Sequence, residues 1–439
     1  MRKVMAGLAL AVTFLAAACG SGQSVPAPSA AAPAAPSDPA KITGEITVLT
    51  NRTDLVTDGT MKKYADEFNK TYPQVTVKFE GITDYEGEVK IRMNTENYGD
   101  VLLIPNVIAQ DDYPKFFENL GPAAEIDKKY QYTAKANVGG NVYGIPVFSV
   151  SNGLVYNKEV WAQAGITDWP ATPEQFLADL QAIKDKTEAV PYYTNYKDGW
   201  PLTQWTSALG SPSCDPKAND NLATATEPWA AGSDLNITDT LLFNIVNKKL
   251  SEEDPTTTNW EDSKGQLANG KIATMWLGSW AIVQMQDAAK KAGKDPSATI
   301  GYMPFPAQPA GKFCAMVTPD YINSVNVHSK NKDAARAWLH WMADESGFAS
   351  TNQAISSVKG APLPSTLQPF AEVGVQFVEL SQAQAGKVTT IDNASEVGLN
   401  KPDYRQHLID VARGAAPGDT GSVFADLTTK WAAAVAMGG

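Results

Sequence analysis

Strand and helix patterns alternate along residues 45–104, and this order constrains the fold more than any other feature. Residues 45–50 form an apolar, β-branched run typical of a buried strand. Residues 60–71 place apolar side chains at helical intervals, and residues 75–79 and 100–104 return to strand patterns. Strands that alternate with helices form a parallel sheet covered by helices. The region therefore predicts an α/β fold.

The same criteria predict further elements along the chain. Strands are expected at residues 142–146, 154–157 and 272–276, and helices at residues 173–186, 332–344 and 404–414. Thr172 is suited to cap the helix that Pro173 opens. Ligands of open α/β sheets bind at the carboxyl ends of strands, so polar residues that follow strands are candidate ligand contacts.

The first 18 residues have the layout of a cleaved signal peptide. A short basic start precedes an apolar run at residues 4–18, and this run is shorter than the roughly 20 residues that span a bilayer. Cys19 follows three alanines and resembles the lipidated cysteine of bacterial lipoproteins, although the usual leucine lies one position early, at Leu15. An ordinary signal peptide with an incidental cysteine stays open as the alternative.

Residues 19–41 predict a lipidated cysteine followed by a disordered tether. The stretch is rich in Ala, Pro and Ser, and it offers too little apolar surface to offset its ordering entropy. A tether after a lipid anchor would hold a folded body at a membrane surface. We therefore expect an extracytoplasmic, membrane-anchored protein, on the outer face of the cell membrane or in a periplasm.

Charge and side-chain inventory exclude several kinds of site. The net charge of −12 argues against nucleic-acid binding, because such surfaces are basic. The three histidines, His328, His340 and His407, show no metal-ligand spacing, so neither a metal nor another cofactor is expected. Cys214 and Cys314 are candidates for a disulfide in an oxidising compartment, with two buried thiols as the alternative.

Five groups of short motifs occur in one order between residues 46 and 359. They are GDVLL at 99–103, VYGIP at 142–146 with LVYNK at 154–158, WPATPEQF at 169–176 after GI at 165–166, NGKIATM at 269–275 with GSW at 278–280, and SKNKDAA at 329–335 with WL at 338–339. In this order the chain resembles extracellular solute-binding family 1, the maltose-binding-protein-like sugar receptors of ATP-binding-cassette (ABC) importers.

The resemblance implies a two-lobed periplasmic-binding-protein fold of type II, in the larger-sugar cluster, with a hinge and a central cleft. The lobes would be discontinuous: residues 44–150 with 318–364 in the first, and 151–317 with 365–439 in the second. A monomer would capture a carbohydrate by hinge closure and deliver it to the membrane permease subunits of the importer. No catalysis is implied.

A sugar site needs aromatic platforms surrounded by carboxylates, amides and hydroxyls. The resemblance places Trp280, after Gly278 and Ser279, at the family's stacking position. Trp200 and Asp198 belong to a segment similar to the aromatic segment of the family's second lobe. Each tryptophan could instead pack in a core, and Asp198 could cap a helix.

The remaining candidate contacts follow strands or lie at the crossovers between lobes. They are Asn51, Asp54, Asn106, Ser151, Asn152, Asp320 and Tyr321. Asp54 could instead cap the helix ahead of it.

Two rival functions stay open at this point. A secreted glycoside hydrolase would need a pair of carboxylates across a sugar bond, and the chain carries many carboxylates but no hydrolase motif. The same receptor class could carry a polyamine or a metal. The adjacent Tyr192 and Tyr193 resemble those of ferric-ion receptors, although alternate-face core positions explain them more simply.

Overall fold

The computed structural model describes residues 38–438. The predicted signal peptide, Cys19 and most of the predicted tether lie outside this range. At the end of the predicted tether, Pro39–Lys41 forms a 3-10 helix capped by the Asp38 side chain. These last residues therefore adopt regular structure, where the sequence predicts disorder.

The described residues form twelve strands. They are β1 (Gly44–Thr50), β2 (Val75–Gly81), β3 (Val101–Leu103), β4 (Gly121–Pro122), β5 (Asn137–Val138), β6 (Asn141–Val142), β7 (Ile145–Asn157), β8 (Thr274–Gly278), β9 (Ile300–Met303), β10 (Cys314–Val325), β11 (Ile355–Ser356) and β12 (Gln376–Glu379).

The described residues also form nineteen α-helices. They are α1 (Thr53–Thr57), α2 (Thr60–Thr71), α3 (Tyr85–Arg92), α4 (Tyr113–Phe116), α5 (Ala123–Ile126), α6 (Lys158–Gln163), α7 (Pro173–Lys186), α8 (Trp200–Thr203), α9 (Ala218–Leu222), α10 (Asp234–Asn247), α11 (Trp260–Ala268), α12 (Ala281–Lys291), α13 (Pro296–Thr299), α14 (Lys332–Asp344), α15 (Phe348–Thr351), α16 (Gln368–Val373), α17 (Ala385–Ser395), α18 (Asp403–Ala412) and α19 (Thr420–Ala436). Within residues 38–438, none of them has the length and apolarity that a membrane crossing requires.

The sheet is mixed. β1 pairs in parallel with β2 and β3, as the alternation of strands and helices predicts. β10 then runs antiparallel to β3 on one side and to β7 on the other. The main strand order is β11-β7-β10-β3-β1-β2, so a strand from late in the chain lies in the middle of the sheet.

Two long strands, β7 and β10, serve both halves of the molecule. The first half of β7 pairs with β10 and β11, and its second half pairs with β8 and β9. The first residues of β10 pair with β12, and its last residues pair with β3. The chain therefore crosses between the two halves along two strands, β7 and β10.

The buried apolar side chains form a separate core in each half. The first lobe packs around Ile46, Phe68 and Trp338. The second lobe packs around several clusters, with Leu154 and Trp276 among their buried residues. These cores give a two-lobed α/β fold. The residue numbers at which the lobes divide stay a prediction.

Local signals explain why several helices match their predicted bounds. In α7, the Thr172 hydroxyl accepts a hydrogen bond from the Gln175 N–H at 3.2 Å, and Pro173 occupies the first turn. Its buried face carries Phe176, Leu180 and Ile183 at helical spacing. The predicted bounds of α2 and α14 are also confirmed.

Other predicted elements are wrong in extent. The predicted strand at 142–146 is divided between β6 and β7 at Gly144, where a Cβ atom would overlap the Ile322 and Ile104 side chains. The predicted strand at 154–157 is the end of β7, not a separate strand. The strand predicted at 272–276 lies at Thr274–Gly278, and the helix predicted at 404–414 lies at Asp403–Ala412.

Candidate functional site

The crossing strands bring the ends of other strands together from both lobes. β3 ends at Leu103, which lies opposite Asn323 of β10. Beyond the end of β3, the earlier residues of β10 continue into the second lobe. β8 ends at Gly278, which lies opposite Asn152 just beyond the crossover on β7. The carboxyl ends of β3 and β8 therefore point toward the crossover from its two sides, and ligands of α/β sheets bind at such strand ends.

Three tryptophans lie together on the second-lobe side; Trp200, Trp260 and Trp280 are called the tryptophan cluster below. The ring centroid of Trp280 lies 5.8 Å from Trp200 and 5.9 Å from Trp260, and Trp200 and Trp260 are 5.0 Å apart. All three side chains are partly exposed. Trp280 packs against the cores of both lobes, so the cluster adjoins the junction between them.

Each tryptophan of the cluster stands at the start of a helix. Trp200 opens α8, Trp260 opens α11, and Trp280 precedes α12 directly after β8. In α11, the Asn259 side chain caps the first turn by accepting the Asp262 N–H at 3.0 Å. All three rings therefore lie at helix starts, and of these three helices α11 has a side-chain cap.

Three predicted contacts are buried beside the cluster. The Ser279 N–H donates to the Ser151 carbonyl at 2.7 Å, and the Ser151 N–H donates to the Ser279 hydroxyl at 3.1 Å. Asn152 is 4% exposed. These residues lock the end of β8 to the crossover, and the burial of their side chains favours support of the site over direct contact. Ligand contact by them stays a prediction.

A small pocket on the first-lobe side gathers four predicted contacts. It is lined by Asn51 after β1, Asn106 after β3, and Asp320 and Tyr321 on β10. The parallel order of β1 and β3 places their carboxyl ends at one edge of the sheet, which brings Asn51 and Asn106 to the same pocket. Ligand contact by these residues stays a prediction.

Glu86 and Lys135 also line this pocket, and the sequence analysis missed both. Lys135 donates to the Asn106 amide oxygen at 2.8 Å. Burial lowers the pKa of Lys135, while the nearby carboxylates of Asp320 and Glu86 act to raise it. Burial likewise raises the pKa of Asp320. The pocket thus holds donors and acceptors of both charges beside one another.

The side chains of Asp54 and Asp198 are exposed to solvent. Asp54 forms a bidentate ion pair with Arg52, with its nearer nitrogen-oxygen distance at 2.7 Å. The hydrogen bond from Arg52 lowers the pKa of Asp54. Asp54 is not among the residues that line the first-lobe pocket. Asp198 adjoins Trp200, whose N–H donates to the Asp198 carbonyl at 2.8 Å.

Trp260 was also missed from the sequence. It belongs to no recognised motif, and its ring joins the cluster only because α11 packs beside α12. The one local signal is an aromatic residue directly after the helix-capping Asn259. Lys264, one turn later, holds its ammonium group 4.9 Å from the Trp260 ring centroid, a cation–π contact.

The structure joins Cys214 and Cys314 in a disulfide. Cys214 lies on the chain that follows α8, and Cys314 is the first residue of β10. The bond therefore ties the segment that carries Trp200 to a crossing strand. Tyr192 and Tyr193 are both buried in the second-lobe core, as alternate-face packing predicts.

Another cavity, of about 510 Å³, lies in the second lobe. It is bordered by Tyr156 near the end of β7 and by Trp169, whose ring lies 6.0 Å from Phe313. Tyr302 also lines this cavity, and its hydroxyl donates to the Ser151 carbonyl at 2.9 Å. The cavity therefore shares Tyr302 with the crossover, although none of its lining residues belongs to the tryptophan cluster or to the first-lobe pocket. Within residues 38–438, no group of three or more potential ligands is arranged to hold a metal ion.

Comparison with known proteins adds an independent line of evidence. A solved binding protein of an ABC transporter from Bifidobacterium animalis subsp. lactis, in complex with mannobiose, is 32% identical, covers 91% of this chain and 96% of its own, and has a TM-score of 0.78. A manno-oligosaccharide-specific solute-binding protein from the same organism, in complex with mannotriose, is 29% identical with the same coverage and TM-score.

Curated sequences and family models agree with these structures. The Multiple sugar-binding protein of Streptococcus mutans is 24% identical over 318 residues, which cover 70% of this chain and 72% of that protein. The sequence model described as "Bacterial extracellular solute-binding protein" matches residues 53–347. That match spans more than half of the chain, which therefore belongs to the bacterial extracellular solute-binding protein family.

Proposed function

We propose that this protein is the extracytoplasmic ligand-binding component of an ABC importer and that its ligand is a short manno-oligosaccharide. The observation that carries the proposal is the tryptophan cluster, which adjoins the junction of the lobes through Trp280; the polar pocket at the strand ends of the first lobe adds to it. Indole faces suit the apolar C–H faces of sugar rings, and charged and amide groups suit the hydroxyl edges.

The choice of ligand rests on the two similar proteins from Bifidobacterium animalis subsp. lactis, whose structures contain mannobiose and mannotriose. At 32% and 29% identity over nearly the whole chain, they support manno-oligosaccharides over the wider range of sugars. Three aromatic rings in one cluster also suit a ligand of more than one ring.

A thermal-unfolding screen tests the function. The panel contains mannobiose, mannotriose, raffinose, diacetylchitobiose and maltose. A ligand present at about 100 times its dissociation constant stabilises the protein by about 2.7 kcal/mol. We expect mannobiose or mannotriose to give the largest rise in midpoint temperature. A larger rise with another sugar would refute the choice of ligand, and no rise with any sugar would refute the function.

We further propose that the protein binds its ligand without altering it. Mass spectrometry of mannotriose recovered after prolonged incubation checks this point directly. Intact trisaccharide is expected, and cleaved products would instead favour a glycoside hydrolase.

Membrane anchoring through Cys19 and delivery to permease subunits complete the proposal. The Ala16–Cys19 motif and the Ala/Pro/Ser-rich stretch behind it support an anchor. Wild-type protein should carry a lipid on Cys19 and sediment with membranes, whereas Cys19→Ser should release the body or block its processing. A free Cys19 thiol in the intact-mass spectrum of mature wild-type protein would contradict the anchor.

A further inference from the structure

The first-lobe pocket contains an unusual set of charged neighbours. Lys135 donates to Asn106, and the Asn106 amide group in turn donates to Glu86 at 3.1 Å. The acceptor of the Lys135 bond is a neutral amide, so this bond does not compensate the ammonium charge. Asp320, a carboxylate that acts on Lys135 through space, lines the same pocket.

Backbone geometry fixes the Asp320 carboxylate in place. Its Oδ1 accepts the N–H of the next residue, Tyr321, at 2.7 Å. Tyr321 has a φ of 48°, a left-handed conformation that is rare and strained for a bulky residue. Such strain persists only where the surrounding structure enforces it, and it concentrates at ligand-binding positions.

The size of the pocket limits what it can accept. Its volume is about 70 Å³, and one water molecule occupies about 30 Å³ in the liquid. The pocket thus has room for a pair of hydroxyl groups, whereas the body of a sugar ring would remain outside it.

From this geometry, and given the proposed function, we infer that Lys135 and Asp320 are the specificity-determining pair of the site. The Lys135 ammonium group donates to one hydroxyl of the bound ring, and the Asp320 carboxylate accepts from the adjacent hydroxyl. The pair thereby selects a neutral sugar with two free neighbouring hydroxyls at this edge. Stereochemistry follows, because an epimer directs one of the two hydroxyls elsewhere.

The physical basis is the cost of leaving buried polar groups unpaired. A site that is built to bond a hydroxyl rejects an analogue that lacks it far more strongly than an apolar pocket rejects a size change. Lys135 and Asp320 are both half-buried, so an empty partner position at either of them carries a cost.

Calorimetric titration with mannobiose and its single-position deoxy analogues tests the inference. Wild type should lose roughly tenfold or more in affinity for analogues that lack either of two adjacent hydroxyls. Lys135→Met should bind mannobiose about tenfold more weakly, with no further loss for the analogue that lacks the hydroxyl paired to Lys135. Asp320→Asn should give the same pattern at the neighbouring position. A merely structural role would lower affinity for all analogues equally.

Two further variants keep the test decisive. Lys135→Gln retains a polar group of similar length in case the methionine variant misfolds. Lys128→Met removes an exposed lysine that pairs with Glu125 on the same lobe and should behave as wild type. If the Lys135 and Asp320 variants keep the wild-type ratios across the analogues while wild type binds mannobiose, the inference is wrong and the proposed function stands. If wild type binds no sugar, both are wrong.

Discussion

At the residue scale, the position of Trp280 depends on a glycine two residues earlier. A Cβ atom on Gly278 would overlap the Nε1 and Cδ1 atoms of the Trp280 indole. The indole therefore lies directly against the backbone at the end of β8, and only glycine leaves room for it. This close approach is a steric reason for the glycine in the GSW motif.

Gly278→Ala should accordingly displace the ring and weaken mannobiose binding roughly tenfold, or about 1.4 kcal/mol. Trp280→Ala should cost at least as much, because the apolar area of the indole is lost as well. Isothermal titration calorimetry measures both, with thermal unfolding as a check on folding.

Matched controls lie in the same lobe. Gly265→Ala adds a methyl group where nothing lies within 4 Å, and Trp169→Ala removes an indole that lines the 510 Å³ cavity and is not part of the tryptophan cluster. Both controls should retain wild-type affinity. Unchanged binding by Trp280→Ala would remove the cluster from the site.

At the element scale, the disulfide constrains the start of the crossing strand β10. It closes a loop with a sequence separation of 100 residues, inside which lie α10, α11 and α12. A loop of about 100 residues corresponds to about 4–5 kcal/mol in the chain-entropy view, and native-state strain often reduces that figure.

Replacement of Cys214 and Cys314 by serine should therefore lower the free energy of unfolding by about 2–5 kcal/mol. Urea denaturation with and without reducing agent measures the effect. Wild type under reducing conditions should fall toward the double variant, and the variant itself should be insensitive to the reductant. Equal midpoints for wild type and variant without reductant would contradict the expectation.

The elements also show which signals act locally. Helices α2, α7 and α14 match their predicted bounds because amphipathic spacing and a cap such as Thr172 are properties of the segment itself. The extent of β7 could not be predicted in the same way, since it depends on pairing with β8, β9 and β10 from distant parts of the chain. Lys135 and Trp260 were missed for the same reason: tertiary contacts, not motifs, bring them to the site.

At the scale of the whole molecule, a hydrogen bond connects the segment before β5 to β12, which the predicted bounds place in different lobes. The Ala134 N–H of the first lobe donates to Glu379 of β12 in the second at 3.1 Å. Burial raises the pKa of Glu379 to about 7, the Ala134 bond opposes the shift, and Asp127 of the first lobe adds to it. Tyr132, close to Glu379, also faces this contact.

This shift fixes the sign of a pH effect. The folded state retains a proton on Glu379 that the unfolded chain has lost, so the contribution to stability is full below about pH 4.5 and is lost as pH rises toward 7. Glu379→Gln should therefore be more stable than wild type at pH 8, by roughly 1–3 kcal/mol at about 1.4 kcal/mol per pKa unit. The two should converge near pH 4.5 in urea titrations.

Glu252→Gln is the matched control, because burial also raises the pKa of Glu252 to about 7 and this residue bonds Thr194 within the second lobe. Both variants should flatten the pH dependence of stability, but only Glu379→Gln should also alter the pH dependence of mannobiose affinity. Parallel pH profiles of stability for wild type and Glu379→Gln would argue against the assigned titration.

The strand order has a consequence for how the chain folds as it is made. β10 occupies the centre of the sheet between β7 and β3, yet it follows them by more than 150 residues. Until residue 325 has emerged from the ribosome, both neighbours present open edges that invite wrong partners. Such non-local pairing makes folding slow. A chain that folds slowly stays unfolded for longer, and an unfolded chain can pass through a narrow channel. A chain that must pass through a translocation channel before it collapses gains from this delay.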